Sequence, residues 1–123
     1  MIKSYYDAQY NMVVIEFAGH VNAAQAEALQ PEIRKLTPAE KGFRILTDFT
    51  LVEEMSPDIL QTIKKSMDFF NERGVAEIIR VIPRPEQDFG VNILSIFHYS
   101  KDVRMVILPS RAEAEALLKS LSQ

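Results

Sequence analysis

Carboxylate side chains cluster after a hydrophobic run in the segment LTDFTLVEEMSPD, residues 46–58. Asp48, Glu53 and Glu54 offer the oxygen ligands that divalent metal ions such as Mg²⁺ and Ca²⁺ prefer. The same charges are also typical of a solvated turn that follows a strand, and the charge pattern favours that interpretation. We therefore expect a polar turn here and no metal site.

Ser56 lies in the same segment, where the predicted turn leads into a helix. Its hydroxyl is a candidate phosphoacceptor. Helix initiation alone explains the whole triplet, because serine is a good N-cap, Pro57 suits the first helical position, and the charge of Asp58 complements the helix dipole. We expect Ser56 to be the N-cap of this helix. A further hypothesis is that Asp58 imitates a permanently phosphorylated serine.

The residue types needed for most enzyme chemistry are scarce in this chain. It has no cysteine, so thiol nucleophiles and thiolate metal sites are excluded, and its two histidines are His20 and His98. His20 follows a glycine at a strand end and could line a site. The spacings match neither a Ser-His-Asp arrangement nor a glycine-rich phosphate loop. The sequence predicts a protein that is not an enzyme, has no catalytic residue and binds no cofactor.

The segment FGVNILSIFHYS, residues 89–100, carries more apolar side chains than one buried helix stripe requires. Ordinary burial accounts for part of this surplus. The rest indicates contact with a protein partner, with a bound apolar molecule, or with a cavity that the helix covers. The candidate contact residues are Phe89, Ile93, Ile96 and Phe97, together with Phe69 on the preceding helix.

A stiff loop, PRPEQDFG, precedes this segment over residues 83–90. Two prolines restrict its backbone, and Arg84 lies between them. An arginine held in this way is a candidate to meet an anionic ligand or a partner carboxylate. The alternative is a rigid surface loop without a binding role.

The elements that position these residues alternate between strands and helices. Strands are predicted over residues 2–6, 12–17, 43–49, 75–82 and 103–108, and helices over 22–36, 57–74, 89–100 and 111–121. The order β-β-α-β-α-β-α-β-α predicts an α/β domain with a mostly parallel sheet and an antiparallel N-terminal edge hairpin. Ligands of such sheets usually bind outside the carboxyl ends of the strands, where the strand order reverses, and we expect the turn over residues 48–58 at the carboxyl end of a strand.

Helix ends carry their own signals. Asn22 with Gln25 forms a capping box, Gly74 is a C-terminal glycine, and a second capping box begins at Ser110. Pro31 falls inside the first predicted helix, so we expect a kink or an earlier break there.

Two places in the chain resemble the STAS domain, the sulfate transporter and anti-sigma factor antagonist family with the SpoIIAA-like fold. Asp48, Phe49 and Thr50 fit the family's strand end of aspartate, hydrophobic residue and small hydroxyl residue. Val52 and Met55 fit the hydrophobic positions before the family's Asp-Ser-Ser/Thr-Gly turn. The segment LPSRAEAEALL resembles the family's last strand and helix. The resemblance implies a single domain over residues 1–123 with the SpoIIAA-like fold.

The departure from the family lies in the switch loop. If Met55 keeps the family register, Ser56 takes the aspartate position, Pro57 the phosphoacceptor serine, Asp58 the next hydroxyl and Ile59 the glycine. Proline cannot be phosphorylated, so we do not expect the phosphorylation-dependent switching of the anti-sigma factor antagonists. A related topology occurs in the CRAL-TRIO lipid-transfer family, which holds an apolar ligand against its sheet.

Composition sets the remaining limits. A net charge of −3 without a basic run makes nucleic-acid binding unfavourable, and no apolar run is long enough to span a membrane. The absence of cysteine is typical of a cytoplasmic protein. We expect a protein-interaction or regulatory module without phospho-switching that binds a protein partner or itself as a homodimer. The alternative is a carrier or sensor of a small apolar or lipid-like ligand, held between residues 89–100, the helix over 56–70 and the sheet.

Overall fold

The computed structural model describes residues 1–84, 90 and 99–121, which form a five-stranded mixed sheet with three helices. The strands are β1 (Ile2–Asp7), β2 (Met12–Val21), β3 (Arg44–Met55), β4 (Glu77–Val81) and β5 (Arg104–Leu108). The helices are α1 (Ala23–Leu36), α2 (Ile59–Arg73) and α3 (Arg111–Leu121). The helix predicted over residues 89–100 lies outside the described residues.

The sheet has the order β1-β2-β3-β4-β5. β1 runs antiparallel to β2, and each later strand runs parallel to its neighbour. This confirms the predicted α/β class and the antiparallel N-terminal edge hairpin. The five described strands follow one another in sequence across the sheet, so their order does not reverse at the carboxyl end of β3. Successive crossovers in one direction place α1 and α2 side by side on the same face.

Alternate residues of the central strands pack on opposite faces of the sheet, as the pleat requires. One face packs against α1 and α2 and the other against α3. The first core includes Val13, Ile15, Phe17, Ile45, Phe49, Ile78 and the α1 and α2 residues Ile33, Ile59 and Phe70. The second includes Met12, Val14, Leu46, Ile79, Val81, Ala114 and Leu118. The parallel strands are therefore covered on both sides, which explains their nearly continuous apolar sequences.

β3 does not end at Phe49 as predicted but continues to Met55. Its pairing with β4 stops at Asp48, while its pairing with β2 continues as far as Met55. Two register shifts between β2 and β3 insert extra residues, and the resulting bulges break the strict alternation of buried and exposed positions. Val52 and Met55 are buried although they lie three residues apart. The polar turn predicted over residues 48–58 is therefore wrong, because most of that segment is strand.

The helix ends agree with most of the local signals. Asn22 and Gln25 form the predicted capping box, and Gly74 ends α2 in the left-handed conformation, with φ 94°. The Ser110 hydroxyl accepts a hydrogen bond from the Glu113 amide at the start of α3. The break expected at Pro31 is wrong, because α1 runs unbroken through Pro31 to Leu36. Pro31 is exposed, so the amide hydrogen bond that it cannot donate falls on the solvent side of the helix.

Candidate functional site

The junction between β3 and α2 consists of Ser56, Pro57 and Asp58. The Ser56 amide donates to the Val21 carbonyl at 2.8 Å, which closes the parallel pairing of β2 and β3. Its own carbonyl accepts from the Ile59 amide at 3.1 Å. The predicted role of Ser56 as the N-cap of α2 is wrong, because the cap position is Asp58, whose side chain makes no capping hydrogen bond to α2. The strand pairing holds Ser56 in the sheet, so the helix begins three residues later.

Asp58 instead interacts with the other helix of this face. Its Oδ1 accepts a hydrogen bond from the amide of Ala23, the first residue of α1, at 3.4 Å. The carboxylate therefore lies at the beginnings of both α1 and α2, where the two helix dipoles favour a negative charge. This packing role accounts for an aspartate at position 58 without any phosphoserine mimicry, and the mimicry itself stays a hypothesis.

Asp48 is 9% exposed and is separated from the other carboxylates of its segment. Its Oδ1 accepts from both the amide and the hydroxyl of Thr50. Its Oδ2 accepts from Nη1 of Arg111 at 3.2 Å. Asp48 and Thr50, which fit the aspartate and hydroxyl positions of the family's strand end, are thus hydrogen-bonded to one another.

Arg111, the first residue of α3, joins four elements of the fold. Its Nη1 also donates to Glu16 at 3.0 Å, and its Nη2 donates to the Tyr5 hydroxyl at 2.8 Å. Burial alone would lower the pKa of Arg111, but the hydrogen bonds to Tyr5, Asp48 and Glu16 raise it above its ordinary value. We call Tyr5, Glu16, Asp48 and Arg111 the polar anchor. It binds α3 to β1, β2 and β3.

Glu53 and Glu54 lie on the surface beside His20. His20 Nδ1 is 3.0 Å from Glu54 Oε2, and His20 Nε2 is 3.5 Å from Glu53 Oε2, with more than two thirds of each side chain exposed. In the part of the chain that the structure describes, no three histidine or carboxylate side chains are arranged to hold a metal ion. The second histidine, His98, lies outside that part.

A cavity of about 50 Å³ lies between α1, α2 and the sheet. Most of its wall is apolar, with Ile15, Phe17, Leu29, Ile33, Ile45, Phe49, Ile63, Met67, Phe70 and Ile78 among the residues that line it. Its polar lining residues are Gln30, Thr47, Thr62, Ser66, Arg80 and Tyr99. The carrier alternative placed its ligand between residues 89–100, α2 and the sheet, and most of residues 89–100 lie outside the described part of the chain, so this location stays a prediction.

Arg80 is a candidate binding residue that was not among those predicted from the sequence. It lies on β4 between Ile79 and Val81, is 2% exposed, and lines the cavity. A signal was present in the sequence. A charged residue inside the apolar run of a parallel strand must be buried on one face or the other, because helices cover both. Such a charge is retained only when the structure compensates for its desolvation, so it marks a position with a specific environment.

Tyr99 lines the cavity, and its titration gives a stability prediction. Burial raises the pKa of Tyr99, although the positive charge of Arg80 opposes the shift. Above about pH 10 the unfolded chain releases this proton while the folded chain keeps it, so the free energy of unfolding should fall by about 1.4 kcal/mol per pH unit from this residue. Denaturant unfolding at several alkaline pH values should show a shallower decline for Tyr99→Phe. The half-exposed Tyr6 provides the control, and an equal decline in Tyr6→Phe and Tyr99→Phe would contradict this prediction.

The remaining predicted contact residues fall into two groups. Phe69 is partly buried, with the guanidinium carbons of Arg34 and Arg73 4.5 and 4.8 Å from its ring centre, so cation–π contacts occupy it. Arg84 is exposed in the bend that follows β4. Phe89, Ile93, Ile96 and Phe97 lie outside the described residues, and their role in binding stays a prediction.

Across the described residues, no helix combines the length and the apolar character needed to cross a membrane. Neither a protein-family model nor a curated protein matches the chain in sequence.

Comparison with solved structures gives several matches over nearly the whole chain. An uncharacterised DUF3478 protein from Shewanella loihica PV-4, described as having a SpoIIAA-like fold, matches with a TM-score of 0.68 and 12% identity, covering 96% of this chain and 92% of its own. The phosphorylated Bacillus cell fate determinant SpoIIAA matches at 0.63 and 13%, covering 96% and 99%. An anti-sigma factor antagonist from Mycobacterium paratuberculosis matches at 0.57 and 13%, covering 97% and 95%. The chain therefore has the SpoIIAA-like fold, as its resemblance to the STAS domain implied.

Proposed function

We propose that the protein is a non-enzymatic protein-interaction or regulatory module that works without phosphorylation of the β3–α2 junction. The observation that carries this proposal is Leu51, which is 69% exposed on the part of β3 that extends beyond β4. One of the solved neighbours, the Mycobacterium paratuberculosis protein, is named as an anti-sigma factor antagonist, a class of protein defined by its action on another protein. A similar fold with an exposed apolar residue on its longest strand supports a partner-binding role.

Single exposed leucines are common on protein surfaces, so the surroundings of Leu51 matter. Leu51 borders a surface depression of about 100 Å³. We call the residues that form it the Leu51 surface: Met1, Lys3, Glu16, Phe17, Ala18, Asp48 and Leu51. Met1 is 56% exposed, so two large apolar side chains stand beside charged ones. An apolar centre with a charged margin is the usual arrangement of a protein interface.

The absence of a phospho-switch is supported by the junction itself. Pro57 stands where the resemblance places the phosphoacceptor. Ser56, its neighbour, is partly buried, and its backbone closes the β2–β3 pairing. A phosphoryl group on Ser56 would place added negative charge near Asp58, which already lies at the beginnings of α1 and α2.

Leu51→Asp tests the interaction surface. We expect partner binding to weaken at least about tenfold, because a carboxylate at the centre of an apolar contact loses its water without gaining a counter-charge. Binding is measured by affinity capture from host lysate followed by titration of the identified partner, with light scattering to test self-association. Leu121→Asp is the matched control, because Leu121 is exposed on α3 and distant in sequence. Equal binding by both variants and by the unmodified protein would exclude the Leu51 surface.

A second candidate function, a sensor or carrier of a small molecule, is favoured by the cavity under α1 and α2. An apolar cavity of about 150 Å³ holds benzene, and the cavity of about 50 Å³ here is smaller. In this conformation it therefore fits a molecule of a few heavy atoms and not a lipid chain. Native mass spectrometry of protein purified from its host would reveal such a molecule as a mass that is lost on denaturation.

A further inference from the structure

The floor of the cavity is one row of side chains across the three central strands. Ile15 of β2 pairs with Thr47 of β3, and Thr47 pairs with Arg80 of β4. All three line the cavity. The rows on either side are apolar, with Phe17 and Phe49 in one of them. The polar groups of the floor are therefore concentrated in a single row.

Arg80 places a positive charge in this apolar space. At 2% exposure its guanidinium is largely shielded from solvent, and a charge interacts more strongly with a nearby counter-charge in such surroundings than in water. The planar guanidinium matches the geometry of a carboxylate better than that of any neutral group. Tyr99 also lines the cavity, where burial and the negative charge of Asp68 raise its pKa and the positive charge of Arg80 opposes that shift.

Thr47 adds a hydrogen-bonding group beside Arg80. Its Oγ1 is buried and has no hydrogen-bond partner in the described part of the chain. A buried hydroxyl left in this state costs free energy that a bound polar group or water would recover. The cavity wall thus contains a positive charge and a hydrogen-bond donor next to one another.

The size of the cavity limits what can enter. One water molecule requires about 10–15 Å³ of such a cavity, so about 50 Å³ corresponds to about three to five waters or a similar number of heavy atoms. Beyond the polar row, α1 and α2 border the space mostly with hydrocarbon, including Leu29 and Ile63. The polar residues that the two helices add already have partners, because Gln30 donates a hydrogen bond to Ser66 and Thr62 donates one to Glu27. A matching ligand has a small anionic head and a short apolar body.

We propose that this cavity binds a short aliphatic monocarboxylate of acetate to propionate size, with its carboxylate at Arg80 and Thr47 and its alkyl group against Ile15, Leu29 and Ile63. This inference rests on the second candidate function, that of a small-molecule sensor or carrier. It is independent of the Leu51 surface. Occupancy would stabilise the packing of α1 and α2 on the sheet, because the ligand binds the folded chain alone.

The test is a titration with sodium propionate followed by ¹H–¹⁵N correlation spectra. We expect saturable shifts of amides around Thr47 and Ile78. Sodium chloride at equal ionic strength should produce none, and propionamide, which is neutral and similar in shape, should bind at least about tenfold more weakly. Arg80→Met should weaken propionate binding at least about tenfold, and Thr47→Val about threefold. Lys64→Met, which removes an exposed charge from α2, should leave it unchanged.

Absence of saturable shifts with propionate would overturn the proposal, as would equal affinity for propionamide. If Arg80→Met fails to fold, Thr47→Val and the comparison of propionate with propionamide still decide the question. Binding that survives in folded Arg80→Met would also overturn it. Leu51→Asp should bind propionate like the unmodified protein, so that failure of the carboxylate site and failure of the interaction surface give different results.

Discussion

Replacing Phe49 with alanine should lower the free energy of unfolding by about 4 kcal/mol, the largest loss that we expect from a single substitution here. Phe49 is 1% exposed, and its ring stacks on Phe17 with centres 4.8 Å apart and planes within 2° of parallel. The truncation removes both the buried hydrocarbon and the aromatic contact. Because Phe49 already lines the cavity, the new space joins an existing void. Denaturant unfolding monitored by circular dichroism measures the loss as a shift of the midpoint.

Leu51→Ala is the matched control for this experiment. Leu51 lies two residues further along β3 and is 69% exposed, so its truncation should change stability by no more than about 0.5 kcal/mol. If β3 ended at Phe49, as predicted from the sequence, Phe49 and Leu51 would both lie near a flexible turn. The losses of stability caused by the two truncations would then be more similar. Similar losses for the two variants would therefore contradict the extended, bulged β3.

The local signals in the sequence were sufficient for most of the fold. The capping box of Asn22, the glycine end of α2 at Gly74, and the alternation of strands and helices depend on neighbouring residues, and each appears in the structure. The extension of β3 could not be predicted in this way. Its apolar residues Phe49, Val52 and Met55 follow a spacing of three, which becomes compatible with a strand only through bulges in its pairing with β2.

The candidate sites were harder to predict because distant parts of the chain form them. Arg111 meets Asp48 across 63 positions and Glu16 across 95, and no local pattern links these residues. Arg80 was detectable as a charge inside an apolar strand, but the cavity beside it depends on how α1 and α2 pack. The sequence therefore identified Asp48 as distinctive while assigning it to a turn, and its partners became evident only in the folded chain.

Asp48→Ala is expected to lower the free energy of unfolding by about 2–3 kcal/mol. The substitution removes the acceptor of both Thr50 hydrogen bonds and one counter-charge of Arg111. Breaking a buried ion pair from one side commonly costs about 3–5 kcal/mol, because the remaining charge is left without compensation. The expected loss is smaller here because Arg111 keeps Glu16 and Tyr5 as partners and its side chain is 27% exposed. Denaturant unfolding measures the difference.

A double-mutant cycle separates the charge from the hydrogen bonds. Asp48→Asn keeps an oxygen for Thr50 but loses the charge that faces Arg111. The loss in the free energy of unfolding that it causes should therefore be about 1–2 kcal/mol smaller in an Arg111→Met background than in the unmodified protein. Glu53→Gln, at an ion pair on the surface, should change stability by no more than about 0.5 kcal/mol. If Asp48→Asn lowers the free energy of unfolding equally with arginine and with methionine at position 111, the ion pair adds nothing to stability. In that case Asp48 would act only through Thr50. The shape of the β3 extension that presents Leu51 would then depend on Asp48, and the attachment of α3 would not.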